Sequence, residues 1–200
     1  MIEVIASEPK ITKYLDIPIQ HINDEILRKM NRRGDRKFLE ALFTKLRERI
    51  PGLVLRTSLI CGLPGEGEAE FEELCDFLRR FRLERVGAFA FSPEEGTLAA
   101  TMEHPSEEVA RQRAEIVAEL QSRIMDDYNE SRLDKTMEVL CEGWDEEEEA
   151  YFGRTYADSP DIDGKVWFSA ERTVKTGEFV NVKITNVYDG DLVGELEEVS

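Results

Sequence analysis

The chain has 200 residues, 26 basic and 43 acidic, giving a net charge of −17 at neutral pH. Hydrophobic residues make up 41% and charged residues 34%, a folded composition with room for one domain or a domain plus a small module. This acidity excludes holding a polyanion through bulk electrostatics, which needs clustered Lys and Arg. No apolar run approaches the roughly 20 residues of a membrane-spanning helix.

Residues 1–8 carry neither a basic patch nor a long apolar stretch, so no signal peptide is expected. Residues 14–19 read as a short apolar strand. Asn23 and Asp24 then supply a cap and a first-turn anion for a helix containing Ile26, Leu27 and Met30. Gly34 ends it and Asp35 caps the next helix, where Phe38, Leu39, Leu42, Phe43, Leu46 and Ile50 recur at helical spacing. Pro51 and Gly52 stop that helix before a second strand, 53–61. A glycine-rich turn leads into a helix with Phe71, Leu74, Cys75, Leu78 and Phe81 on one face, and a third strand spans 85–91. Strand–helix alternation predicts a parallel three-stranded sheet under a helical layer, an α/β unit. A parallel sheet this small leaves ladder groups unpaired, so it is expected to be part of something larger, completed by a partner chain or a longer protein. A long amphipathic helix follows over about 106–129.

The pattern then changes. Residues 132–200 hold 7 basic and 18 acidic residues, a net of −11. Five short strands are expected there, at 136–141, 151–156, 165–169, 179–187 and 191–196, separated by turn-rich spacers. That suits a small all-β barrel of the OB type, with Asp189 and Gly190 forming a hairpin turn. The division is therefore drawn as 1–131 and 132–200.

Chemistry concentrates at strand ends. The second strand runs into Gly62, Leu63, Pro64, Gly65 and Glu66, a turn that opens a helix at the rim where α/β folds place ligands. No Lys-Ser/Thr follows the glycines and no GxGxxG is present, so neither a phosphate loop nor a dinucleotide fingerprint applies. Gln20 and His21 end the first strand on the same rim, and residues 91–97 end the third. His21 reads as a hydrogen-bonded structural histidine and His104 as an exposed one. The basic cluster Arg28, Lys29, Arg32, Arg33, Arg36 and Lys37 reads as a solvated helix face, with contact to an acidic partner or RNA as the sharper alternative. The 146–149 glutamate run reads as a solvated hairpin tip. Cys61, Cys75 and Cys141 are an odd number with no close pair, which predicts neither a disulfide framework nor a protein-held metal site, and a reduced, cytoplasmic setting. No catalytic residue and no metal ligand is assigned.

Several of these segments, in order, resemble the radical S-adenosylmethionine methylthiotransferases: residues 14–21 (YLDIPIQH), 27–32 (LRKMNR), the 59–66 turn (LICGLPGE) and 85–97 (RVGAFAFSPEEGT). Residues 156–164 (YADSPDIDG) are similar to the C-terminal TRAM module of the branch that methylthiolates an aspartate of a small-subunit ribosomal protein. The resemblance implies that the three strands are the last three of a six-stranded partial barrel, a radical SAM core over 1–131 followed by a TRAM domain over 132–200. It implies that the 62–66 turn lies against the adenosyl cofactor, and that Gln20 and Arg56, on neighbouring strand ends, reach its polar groups. The cofactor-binding candidates are thus Gln20, Arg56, Gly62, Gly65 and Glu66. The complete family enzyme uses S-adenosylmethionine and 4Fe-4S clusters, yet the CxxxCxxC motif does not occur in these 200 residues. The chain alone is therefore expected to hold no cluster and perform no radical chemistry, as a truncated or separately encoded C-terminal part acting with the missing N-terminal portion. An acidic TRAM stretch is expected to attract a basic ribosomal protein and to disfavour transfer RNA, with no membrane contact. The transfer-RNA-modifying branch, and a non-catalytic binding module for a basic protein, stand as the alternatives.

Overall fold

The computed structural model describes residues 1–197. It divides into two compact units, Met1–Ile124 and Met125–Ser200.

In the first unit the elements are α1 (Ile2–Ser7), β1 (Tyr14–Asp16), α2 (Asp24–Lys29), α3 (Arg36–Arg49), β2 (Val54–Cys61), α4 (Glu68–Phe81), β3 (Arg85–Ala90), a 3-10 turn (Ala99–Thr101) and the greater part of α5 (Glu107–Glu130). The three strands form the expected parallel sheet in the order β1-β2-β3. From Leu55 onward β2 alternates. Leu55, Thr57, Leu59 and Cys61 are buried, while Arg56, Ser58 and Ile60 lie half-buried on the opposite face. The buried face packs with Phe43 and Leu46 of α3, Leu74, Phe77 and Leu78 of α4, and Val117 of α5 in one apolar core. Phe77 stacks on Phe81 at 4.7 Å between ring centroids and tilts against Phe43 at 6.0 Å. Each such buried ring is worth about 2–3 kcal/mol of transfer free energy.

Two local differences from the sequence reading have physical causes. β1 is three residues long rather than six, because Pro18 has no N–H to give to a ladder. The chain nevertheless continues beside β2 through Ile17 N–H to Arg56 O and Gln20 N–H to Ser58 O, each 2.9 Å. Phe38, expected on the apolar face of α3, is 56% exposed in the first turn, while Phe77, not assigned to the α4 face, is fully buried.

The second unit is a closed barrel in the order β4-β5-β6-β8-β7, built from β4 (Thr136–Asp145), β5 (Ala150–Arg154), β6 (Val166–Ser169), β7 (Phe179–Tyr188) and β8 (Asp191–Leu196). All neighbours are antiparallel except β6 and β8, which pair in parallel. Val139, Val166, Phe168, Val182, Ile184 and Leu192 fill the interior. β5 ends two residues before the expected Tyr156. There Asp158 Oδ2 accepts from Thr155 N–H at 3.1 Å and from its hydroxyl at 2.6 Å, turning the chain out of the ladder. Among the described residues no helix is long and apolar enough to cross a membrane.

Candidate ligand-binding site

The first unit carries a cavity of ≈ 550 Å³ on the open face of the sheet, bounded by Gln20, Ser58, Ile60, Lys29 and Phe89 among others. Its position follows from three strand exits. After β1 the chain enters the left-handed region at Gln20, φ 69°, where Ile60 N–H donates to Gln20 O at 2.8 Å and fixes the bend beside β2. Asn23 then caps α2 by accepting from Glu25 N–H at 3.0 Å and Ile26 N–H at 3.2 Å. That cap starts a short helix whose last residues, Lys29 and then Met30, reach the cavity wall. The β3 exit contributes Phe89 to Ser92.

The β2 exit is the glycine turn. Gly62 and Gly65 have φ of 84° and 87°, a region L side chains rarely enter. A Cβ on Gly62 would strike Ala110 of α5, and one on Gly65 would strike the Lys29 ammonium. Glu66 N–H donates to Leu63 O at 2.9 Å, closing the turn. The Glu66 side chain points inward and is 3% exposed. Its Oε1 accepts from Gly62 N–H at 2.9 Å and from Arg113 Nη1 at 2.9 Å, and Arg113 also donates to Glu66 O at 3.0 Å. His21, fully buried, accepts from Asn23 N–H at Nδ1, 3.0 Å, and sets Nε2 3.4 Å from Glu66 Oε2. At that length the contact is an electrostatic one rather than a well-formed hydrogen bond. Burial would raise the Glu66 carboxyl, but His21, Gly62 N–H and Arg113 outweigh it and hold the group below its ordinary value.

The five sequence candidates do not all reach open space. Gln20 lines the cavity, while Gly65 and Glu66 lie on an adjoining cleft shared with Lys29. Gly62 is buried against Ala110. Arg56 shares the sheet face of Ser58 and Ile60, but the register sets it opposite Asp16, to which its guanidinium is bonded. Lys29, Ser58, Phe89 and Arg113 were not singled out from sequence. Lys29 was hidden inside a basic run, and Arg113 inside an ordinary amphipathic helix.

Cys61, Cys75 and Cys141 are free and buried. Burial pushes the Cys61 thiol up to about 12 and Cys75 up to about 11. Among the described residues no group of three or more His, Cys, Asp or Glu is gathered that could hold a metal ion. An iron–sulfur cluster, which needs several thiolates converging, does not fit these three cysteines. S-adenosylmethionine fits the cavity better: an apolar space with a few polar groups at Gln20, Ser58 and Lys29 suits a nucleoside carrying a charged tail.

The radical SAM superfamily model matches residues 1–78 and the TRAM domain model matches residues 135–196. Over 197 residues, 98% of this chain, the sequence is 46% identical to the ribosomal protein uS12 methylthiotransferase RimO of Acetivibrio thermocellus, covering 44% of that protein. The chain is thus similar to RimO-type methylthiotransferases over nearly its whole length. RimO of Myxococcus xanthus is 46% identical over 99% of this chain and 42% of its own length, and RimO of Clostridium botulinum 43% identical over 97% and 43%. The chain thus spans less than half the length of the curated relatives it matches. Coproporphyrinogen III oxidase (HemN) of Escherichia coli, a radical SAM enzyme, aligns with a TM-score of 0.47 at 21% identity over 56% of this chain and 27% of that one.

Proposed function

We propose that the chain works as the C-terminal part of a RimO-type enzyme that adds a methylthio group to an aspartate of a small-subunit ribosomal protein. The observation that carries this is 46% identity to RimO across 98% of the chain. The chemistry supplied by S-adenosylmethionine in this family is radical activation of an unreactive C–H bond. The role of these residues is to bind and orient. In this reading Gln20 and Ser58 offer polar contacts inside the cavity, and Gly65 lets the adjoining cleft stay open. Glu66, clamped by Arg113 and Gly62, keeps the turn in shape, and Arg56 braces Asp16 at the start of the sheet. The cluster comes from a segment that these 200 residues do not contain, so the chain alone is inactive.

The charge of the barrel region supports a protein substrate over transfer RNA. Residues 132–200 carry a net of −11, which repels phosphate and attracts a cationic ribosomal protein. Equilibrium binding to purified ribosomal protein uS12 and to bulk transfer RNA, each across a salt series, tests this. The expected result is protein binding that weakens as salt rises and little binding to RNA. The reverse preference would favour the transfer-RNA-modifying branch. Anaerobic treatment with iron and sulfide should give no cluster absorbance. Stoichiometric iron with a cluster spectrum would overturn the claim that the chain alone is inactive.

A further inference from the structure

From the geometry we infer that Lys29 is a carboxylate-binding residue at the mouth of the cavity, and that it selects an anionic ligand group. Lys29 is the one charged residue lining the ≈ 550 Å³ cavity among the described residues, and the walls around it are mostly apolar. Its neighbours in the basic run are engaged: Arg28 with Glu25, Arg32 with Pro18 O, and Arg36 with Glu40 and Glu73. Lys29 makes no ion pair or side-chain hydrogen bond with any described residue. The adjoining cleft brings two carboxyl groups near, and neither takes the ammonium. Glu66 is occupied by Gly62, Arg113 and His21, and Glu103 is exposed without reaching it. Gly65 lies directly against Lys29 Nζ, so a side chain there would displace the ammonium from this position. Lys29 is exposed at the cavity mouth, so its ammonium is solvated in the unliganded protein and available to meet an anion that arrives with a ligand.

This rests on the cofactor-cavity reading above, under which a carboxylate could come from two sources. One is the amino-acid end of S-adenosylmethionine and the other is the side chain of a target aspartate. Calorimetric titration of the full chain separates them. The first arm compares S-adenosylmethionine with its decarboxylated analogue. The second compares a basic synthetic peptide containing one aspartate with its asparagine counterpart. Each is run on the wild type, Lys29→Met and Lys29→Arg. The expected result is that, in one arm, the wild type prefers the carboxylate form by about tenfold. Lys29→Met then abolishes the preference without weakening the binding of the carboxylate-free ligand, while Lys29→Arg largely restores it. The arm that responds identifies the source. Binding of either adenosyl compound without any effect of Lys29→Met in either arm overturns the inference and leaves the cavity reading standing. Failure of both adenosyl compounds to bind overturns the cavity reading, and the peptide arm then decides Lys29. No carboxylate preference in either arm overturns the inference.

Discussion

His21 Nε2 lies 3.4 Å from Glu66 Oε2, with both side chains wholly withdrawn from solvent. Through this contact the residue after Gln20 is tied to the glycine turn after β2, and Arg113 ties the same carboxylate to α5. Three separate segments of the chain thus converge on one buried anion.

Glu66 should therefore make stability depend on acidity. Its folded carboxyl titrates below its ordinary value, so its contribution is fully present above about pH 4.3, the unfolded value, and is lost as pH falls through the lower folded value. Glu66→Gln removes the buried charge partner of Arg113, leaving it the exposed Glu68 at 3.3 Å, and is expected to cost about 2–4 kcal/mol at neutral pH. Urea denaturation at pH 7 and near pH 3 should show the gap between variant and wild type shrinking in acid. An equal gap at both values would contradict the assignment.

Gly62→Ala should destabilise the first unit by about 2–4 kcal/mol, because a methyl there meets Ala110 and the backbone is held at φ 84°. Gly96→Ala is the control. Its φ is 81° but nothing lies within 4 Å of the added methyl, so about 1 kcal/mol is expected. Comparable losses in the two variants would mean that strain, not crowding, governs the turn.

Phe77→Ala is expected to cost about 3–5 kcal/mol, since the ring is fully buried between Phe43 and Phe81. Phe38→Ala, at a ring 56% exposed, should stay within about 0.5 kcal/mol. Denaturant midpoints of the two variants measure this directly.

The thiols offer a third kind of check. With Cys61 pushed up to about 12, Cys75 up to about 11 and all three cysteines buried, the native protein should react negligibly with a thiol-specific disulfide reagent at pH 8. After denaturation all three should react at once. Rapid labelling of one cysteine in the native state would show that its segment opens to solvent.

Much of the scaffold was legible in the residues. The run 53–61 between the Pro51-Gly52 stop and the glycine turn marked β2 as a strand, and the α4 spacing found Leu74, Cys75 and Leu78. The glycine turn was visible because positive φ has few chemical solutions. Other features depend on what meets what across the chain. α1 is six residues, too short for a periodic signal. Register sends Arg56 to Asp16 while Gln20 meets Leu59, and nothing local to Arg56 reports that pairing. Lys29 looked like one charge in a row. Its distinction, a free ammonium facing an apolar space, exists once Asn23 has started α2 at the right place beside the β2 exit.

The parallel pairing of β6 with β8 has a consequence for biosynthesis. Since β8 is the last of the barrel's strands in sequence and sits between β6 and β7, the ring cannot close until β8 has emerged from the translation machinery. Until then the nascent β6 and β7 present bare borders, so a message cut short before Asp191 would yield a sticky half-ring prone to recruiting other chains.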